Sequence, residues 1–380
     1  MIKHIAVLSG KRGGYGAMKP LLNALDKDAE IKLSLILTDQ HLNREFGNTY
    51  QEVEQDFTIA GLIDMNQKSS SELHRAEALG NCMAKMAILL DELRPDLLLL
   101  YGDRGEVLST AVAAVHLRIP IAHMQGGDLS GNIDEQMRHA ITKLSHLHYP
   151  STKESAERII SMGESPSRVK VVGDNHVDGI VSEAYTRPQE VRSELNIDRD
   201  IRPIIFLYHP ETTRNRDIKH DTHQILKVIS EKKIRTIIVY PCSDAGYTDV
   251  ISAFDAFRGE KQFSFHKNIS AENFWGLLNI ANLIIGNSSC GLIETPYFGI
   301  PAINVGKRQE GRACSSNVIH CEPVQKELNQ ALDQALHDTN FRNTAKDAKK
   351  IFGDGLAWRR IYEDLKSLEI SENLFDKRFV

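Results

Sequence analysis

The stretch Leu97-Leu98-Leu99-Leu100-Tyr101-Gly102-Asp103-Arg104-Gly105-Glu106 sets the reading of the fold. Its apolar half has no polar alternation, so both of its faces must be buried, as in an inner strand of a parallel sheet. A glycine turn and a helix-period segment follow, which makes the stretch one strand-turn-helix unit. Worked outward, Ile5–Ser9, Leu33–Leu37, Ile119–His123 and Val169–Val172 repeat the pattern in the first half. Ile204–Leu207, Thr236–Tyr240, Leu283–Ile285 and Ala302–Val305 repeat it in the second, after the polar, proline-containing segment Tyr185–Arg202. The expected fold is α/β: two doubly wound Rossmann-like domains with an interdomain cleft. The boundary is predicted near Gly173–Asn175, giving domains 1–173 and 174–364, with a C-terminal helix at about 365–380 returning to the first. Trp358, Ile361, Tyr362 and Leu365 stand at helical spacing and are expected to pack.

A chain of 380 residues has the length of two domains. Its 46 basic and 51 acidic residues leave a net charge of −5, so no general attraction for nucleic acid or for a membrane surface is expected. No apolar run is long enough to span a bilayer, and MIKHIAVLSG reads as a first strand rather than a signal peptide. The five cysteines are odd in number and lack C-x-x-C spacing, which argues against a disulfide framework and a thiolate metal site and for a reducing cytoplasm.

Ligands of doubly wound sheets bind at the carboxyl ends of the strands, and the unusual residues of this chain fall there. Gly10-Lys11-Arg12-Gly13-Gly14-Tyr15-Gly16 reads as a glycine-rich turn after the first strand, with Arg12 suited to an anion; neither a dinucleotide fingerprint nor a Walker sequence is present. Asp103 and Arg104 leave a buried strand together, the one able to move protons and the other to pair with phosphate, unless Asp103 only caps the next helix and Arg104 is solvated. His123-Met124-Gln125-Gly126-Gly127-Asp128, continuing to Asp134-Glu135 and Arg138-His139, clusters carboxylates and histidines as acid–base chemistry requires. His146 and His148 read as packing residues, and no metal-binding spacing occurs.

In the second half, Tyr208-His209-Pro210-Glu211-Thr212-Thr213 sets a histidine at a strand end, where it can shuttle a proton, bond a diphosphate or simply brace the fold. Gly286-Asn287-Ser288-Ser289-Cys290-Gly291-Leu292-Ile293-Glu294 reads as a diphosphate cradle, with Ser288, Ser289 and Gly291 at a helix start, its dipole assisting, and Glu294 placed to reach ribose hydroxyls. An ordinary capped helix start is the plainer alternative, and the spacing of a serine-nucleophile elbow is absent. Gly306-Lys307-Arg308-Gln309-Glu310-Gly311-Arg312 adds three cations in a glycine-bounded loop.

Taken in order, GDRGE, GGDLSGNIDEQMRHAITKLSHLH, HPETT, GNSSCGLIE and GKRQEGR resemble the hydrolysing UDP-N-acetylglucosamine 2-epimerases of bacterial sialic- and legionaminic-acid synthesis, from about Ile5 to about Arg312. The length resembles the single-function bacterial form, with no room for the kinase domain of the animal enzyme. The resemblance implies the glycosyltransferase-B architecture, a UDP- or GDP-sugar substrate and a homodimer or homotetramer. It also implies no cofactor and no metal. It further implies Asp103 and Asp134 as catalytic carboxylates and His209 as the histidine near the diphosphate. Arg12, Ser288, Ser289, Glu294 and Arg308 look like nucleotide contacts, Arg104 like an arginine beside the acid, and Arg312 is a weaker match. Three positions depart from the family pattern: Asp128 stands where many members have a catalytic glutamate, Gly14 replaces an acidic residue, and Cys242 stands where some members have asparagine. The implied reaction gives the free 2-epimer and a nucleoside diphosphate through a 2-acetamidoglycal. The alternatives are a non-hydrolysing epimerase, a glycosyltransferase of the same architecture and a silent nucleotide-sugar sensor.

Overall fold

The computed structural model describes residues 2–213, 216–378 and 380. Among the described residues, twelve strands form two six-stranded sheets, all pairs parallel. The first holds β1 (Lys3–Ser9), β2 (Ile31–Thr38), β3 (Ile59–Ile63), β4 (Leu97–Tyr101), β5 (Ile121–Met124) and β6 (Leu147–Tyr149), in the order β3-β2-β1-β4-β5-β6. The second holds β7 (Ile204–Leu207), β8 (Thr236–Val239), β9 (Phe263–His266), β10 (Leu283–Gly286), β11 (Ala302–Val305) and β12 (Val318–Cys321), in the order β12-β11-β10-β7-β8-β9. Both are the doubly wound order, whose direction reverses between β1 and β4 and between β7 and β10.

Helices cover both faces of each sheet, which explains the unbroken apolar runs. Ile5, Val7, Leu97 and Leu99 pack into one core, while Ala6, Leu8, Leu98 and Leu100 pack into the core on the opposite face. The second sheet divides in the same way: Ile204, Phe206, Leu283 and Ile285 point to one side, and Ile205, Leu207 and Ile284 to the other. The period of two puts every second residue on one face, and two buried faces leave few polar positions.

The chain forms two compact units. The first comprises Met1–Asp128, Asp134–Gly179 and Phe352–Val380, and the second Leu129–Ile133 and Ile180–Ile351. The chain returns to the first unit at Phe352, ahead of the expected 365, and brings the helix Ala357–Ser367 with it. Ile361 and Leu365 of that helix are buried in the core, and the buried Asp178 carboxylate caps its start by accepting the Ala357 and Trp358 N–H groups at 2.9 and 2.8 Å.

Two local expectations need correction. Val169–Val172 is not a strand; only Val169 forms an isolated bridge, to His148. Gly13, Gly14 and Gly16 are not a loop, because the helix Arg12–Lys27 begins before them. Gly14 is buried there, and an added Cβ would sit 3.4 Å from the Tyr101 ring, an ordinary contact distance. Among the described residues, no helix is long and apolar enough to cross a membrane.

Candidate active site

In the first unit the site starts where β4 ends. Gly102 turns the chain at φ 85°, and its carbonyl receives the His123 imidazole at 2.8 Å. A carbonyl only accepts, so Nε2 carries the hydrogen and Nδ1 faces the Thr142 hydroxyl at 3.2 Å. Burial pushes the His123 pKa down to about 3, which keeps the ring neutral. His123 therefore acts as a strut under the turn that presents Asp103, rather than as a proton carrier.

The Asp103 carboxylate pairs with the guanidinium of Arg138, from the helix Ile133–Leu144. Arg138 is fully buried, and its other arm donates to the Asp128 carbonyl at 2.7 Å. The Asp128 carboxylate accepts the Ser155 hydroxyl at 2.6 Å. Asp134 is buried in the first turn of the Arg138 helix, four residues before it. Burial works against the charge of Arg138, but Asp103, Asp128 and Asp134 outweigh it, so its pKa lies above the ordinary guanidinium value. Gly127 shapes this array: it sits at φ 80°, and any Cβ there would run into the Ser155 carbonyl.

Arg104 does not join this array. Its guanidinium turns inward to Glu106 at 2.9 Å and Asp39 at 3.3 Å, and the same two carboxylates hold Arg75 at 2.8 and 3.1 Å. Two cations and two anions thus form a buried cluster, and Arg104 is neither solvated nor turned outward. Gly10 is needed beside it, since a Cβ would strike the Glu106 carboxylate. Arg12 opens the following helix and pairs with Glu52 at 2.6 Å. Gln125, at φ 61°, donates to the buried Asp174 at 2.6 Å. His148 bonds Glu164 at 3.1 Å, and burial pushes His146 down to about 4, in line with their reading as packing residues.

In the second unit the ends of β7 and β10 are laced by one amide. Asn287 Oδ1 accepts the His209 N–H at 2.7 Å while Nδ2 donates to the His209 carbonyl at 2.9 Å. His209 Nδ1 accepts the backbone N–H of Cys242 at 3.0 Å, which assigns the ring hydrogen to Nε2 and makes that nitrogen a donor. The Asn287 carbonyl receives Gln309 Nε2 at 2.9 Å and Arg308 at 3.4 Å. Arg308 also reaches Asp244 at 3.4 Å, to which the Cys242 thiol donates at 2.9 Å. Glu211 fixes the Arg308 loop by accepting the Lys307 N–H at 2.8 Å. Arg312 follows Gly311 in that loop, where its N–H donates to the Gln309 carbonyl at 3.2 Å.

Ser288 lines a small cavity with Leu207, Gly286 and Gly291, and Ser289 precedes the helix Cys290–Ile293. That helix is one turn long, so the dipole expected there is weak and backbone and hydroxyl donors remain. Glu294 is buried, with one oxygen accepting the Trp275 indole N–H at 3.0 Å. Residues 129–133 belong to this unit too: Thr212 donates its N–H to Asn132 at 3.0 Å, and Gly131 donates to the Arg308 carbonyl at 3.0 Å.

Arg138, Asn287, Glu211 and Gln309 were not singled out by sequence as site residues. Arg138 carried a signal in its i, i+4 spacing from Asp134, and the other three stood within the quoted strand-end motifs. Among the described residues, no group of three or more His, Cys, Asp or Glu side chains is placed to hold a metal ion.

Known proteins share this arrangement of sheets. A solved UDP-GlcNAc 2-epimerase from Neisseria meningitidis, bound to UDP-GlcNAc, superposes with a TM-score of 0.82 over 96% of this chain and 100% of that one, at 18% identity. In sequence, the UDP-N,N'-diacetylbacillosamine 2-epimerase (hydrolyzing) of Legionella pneumophila is 31% identical over 378 residues, 99% of each chain. A UDP-N-acetylglucosamine 2-epimerase of Neisseria meningitidis serogroup B is 31% identical over 335 residues, 88% of each. The family model described as UDP-N-acetylglucosamine 2-epimerase matches residues 23–366, which takes in every strand but β1, and the aspartates, His209 and Arg308 described above. By fold, by sequence and by the carboxylates gathered at its strand ends, the chain is an enzyme of the UDP-N-acetylglucosamine 2-epimerase family.

Proposed function

We propose that this protein is a hydrolysing nucleotide-sugar 2-epimerase. Its substrate in this reading is UDP-N-acetylglucosamine or the UDP-linked 2,4-diacetamido-trideoxy relative, and its products are the free 2-epimer and UDP. The observation that carries this reading is the Asp103 carboxylate paired with the buried Arg138 guanidinium, which also donates to the Asp128 carbonyl and feels the charge of Asp134 on its own helix. The hydrogen on carbon 2 of the sugar is weakly acidic, so its removal must be coupled to departure of the diphosphate. One carboxylate takes the proton from carbon 2, the bond from carbon 1 to the diphosphate oxygen breaks, and a 2-acetamidoglycal forms. Water then adds to carbon 1 while a proton returns to the opposite face of carbon 2, which requires a second acid–base position. In the second unit, His209 Nε2–H, Arg308 and the Ser288–Ser289 turn supply donors and positive charge for the leaving diphosphate. The full-length likeness to a relative named as hydrolysing supports that branch.

The test is a panel of purified UDP-N-acetylglucosamine, UDP-N-acetylgalactosamine and the UDP- and GDP-linked 2,4-diacetamido sugars. Release of nucleoside diphosphate with a free 2-epimer is expected from at least one 2-acetamido-gluco member. An intact 2-epimeric sugar nucleotide would assign the non-hydrolysing reaction instead. Turnover only with an added acceptor would assign a glycosyltransferase, and binding without turnover a sensor.

A further inference from the structure

In the second unit the turn carrying His209 leaves β7 and the loop carrying Arg308 leaves β11, with β10 between those two strands in the sheet. Glu211 spans that gap. Its buried carboxylate accepts the Lys307 N–H at 2.8 Å through Oε1, one residue ahead of Arg308. Gly306 turns beside it at φ 80°, where a Cβ would strike the same oxygen, so the loop approaches Glu211 as closely as a backbone can. The other oxygen, Oε2, faces the Arg216 guanidinium at 3.9 Å, and Arg216 is itself pinned by Asp221 at 2.8 Å and by Glu322 at 2.9 Å. Glu322 directly follows β12, so the brace behind Glu211 is anchored to the same end of the sheet.

A negative charge beneath a loop that is to receive an anion opposes that anion by charge alone. What Glu211 contributes there is the hydrogen bond that it accepts. We infer that Glu211 is a positioning residue for diphosphate binding: through the Lys307 N–H it keeps the Gly306–Arg312 loop in register with the His209 turn, so that Arg308 and His209 meet the same diphosphate. This inference rests on the diphosphate reading of the second unit given above and deepens it. Reach and charge can be separated by substitution. Glu211→Gln keeps an oxygen for the Lys307 N–H and drops the charge. Glu211→Asp keeps the charge, but its side chain is one methylene shorter and its oxygen withdraws from Lys307 beyond hydrogen-bond distance.

The experiment measures binding of UDP by calorimetry, and of uridine by ligand-observed NMR, to the full-length wild type, Glu211→Gln, Glu211→Asp and Glu211→Ala. Glu211→Gln is expected to hold UDP within about threefold of wild type, and Glu211→Asp and Glu211→Ala to weaken it about tenfold or more. Uridine, which has no phosphate for the loop to grip, is expected to bind all four within about twofold. An Asp variant with wild-type UDP affinity, a Gln variant as weak as the Asp variant, or equal losses for uridine and UDP overturns the inference. If Glu211→Ala does not fold, the Gln and Asp variants decide by the same criteria. Wild type that does not bind UDP overturns the parent reading; wild-type UDP binding with unaffected variants overturns this inference alone.

Discussion

Arg104 and Arg308 carry the same charge at comparable strand ends, yet their surroundings give them different work. Arg104 lies in a buried cluster with Asp39, Arg75 and Glu106, whose carboxyl burial pushes upward and whose charge the two guanidinium groups sustain. Arg104→Met leaves two buried carboxylates with a single cation, and a loss of about 3–5 kcal/mol in urea unfolding is expected. Arg308 stands in the loop proposed to hold the diphosphate, so Arg308→Met is expected to weaken UDP binding about tenfold or more in calorimetry, with a smaller effect on unfolding. Sequence could not separate the two, because the partners that decide Arg104 include Asp39, 65 residues away. Asp103 was legible for the opposite reason: its place is set by the strand it follows. Arg138 stood in sequence within the acid–base cluster but with no role of its own, and only its buried partners reveal its place.

At the scale of elements, the inner strands were legible because burial on both faces writes an unbroken apolar run. The edge strands β3, β6, β9 and β12 were not, since each has a neighbour on one side only and carries residues such as Gly61, His148, Ser264 and His320. Turns divide in the same way. Gly286 sits at φ 151°, and a Cβ there would strike the Leu207 carbonyl of the adjacent strand β7. Gly286→Ala is accordingly expected to cost about 2 kcal/mol or more and to disturb the Asn287 lacing of His209, seen as a lowered melting temperature with weakened UDP binding. Gly14 misled in the other direction, as a glycine that reads as a turn but lies inside the helix Arg12–Lys27.

For the whole molecule, two sheets of identical strand order bring the motifs to the ends of β1, β4 and β5 in one unit and of β7, β10 and β11 in the other. Buried histidines also give the fold a pH signature. Burial pushes His41 and His146 down to about 4 and His123 to about 3, so they are neutral when folded but titrate near 6.5 when unfolded. The unfolded chain then binds more protons below pH 6.5, and the stability these rings contribute is complete above that value and lost as pH falls toward 4. The buried Asp178 carboxyl, raised by burial to about 7, acts in the opposite sense: its share is complete below about pH 4 and lost as pH rises through 7. Urea midpoints from pH 4 to 7 are expected to rise with pH, and more steeply in Asp178→Asn. In the proposed reaction, loss of the carbon-2 hydrogen is coupled to departure of the diphosphate at the Asp103 array. Its most direct test is turnover in deuterium oxide by wild type and Asp103→Asn. The account predicts one deuterium at carbon 2 of the free sugar for each nucleoside diphosphate released by wild type, and a rate about 100-fold or more lower for the variant. Released sugar that retains its original carbon-2 hydrogen, or an Asp103→Asn enzyme as fast as wild type, would contradict it.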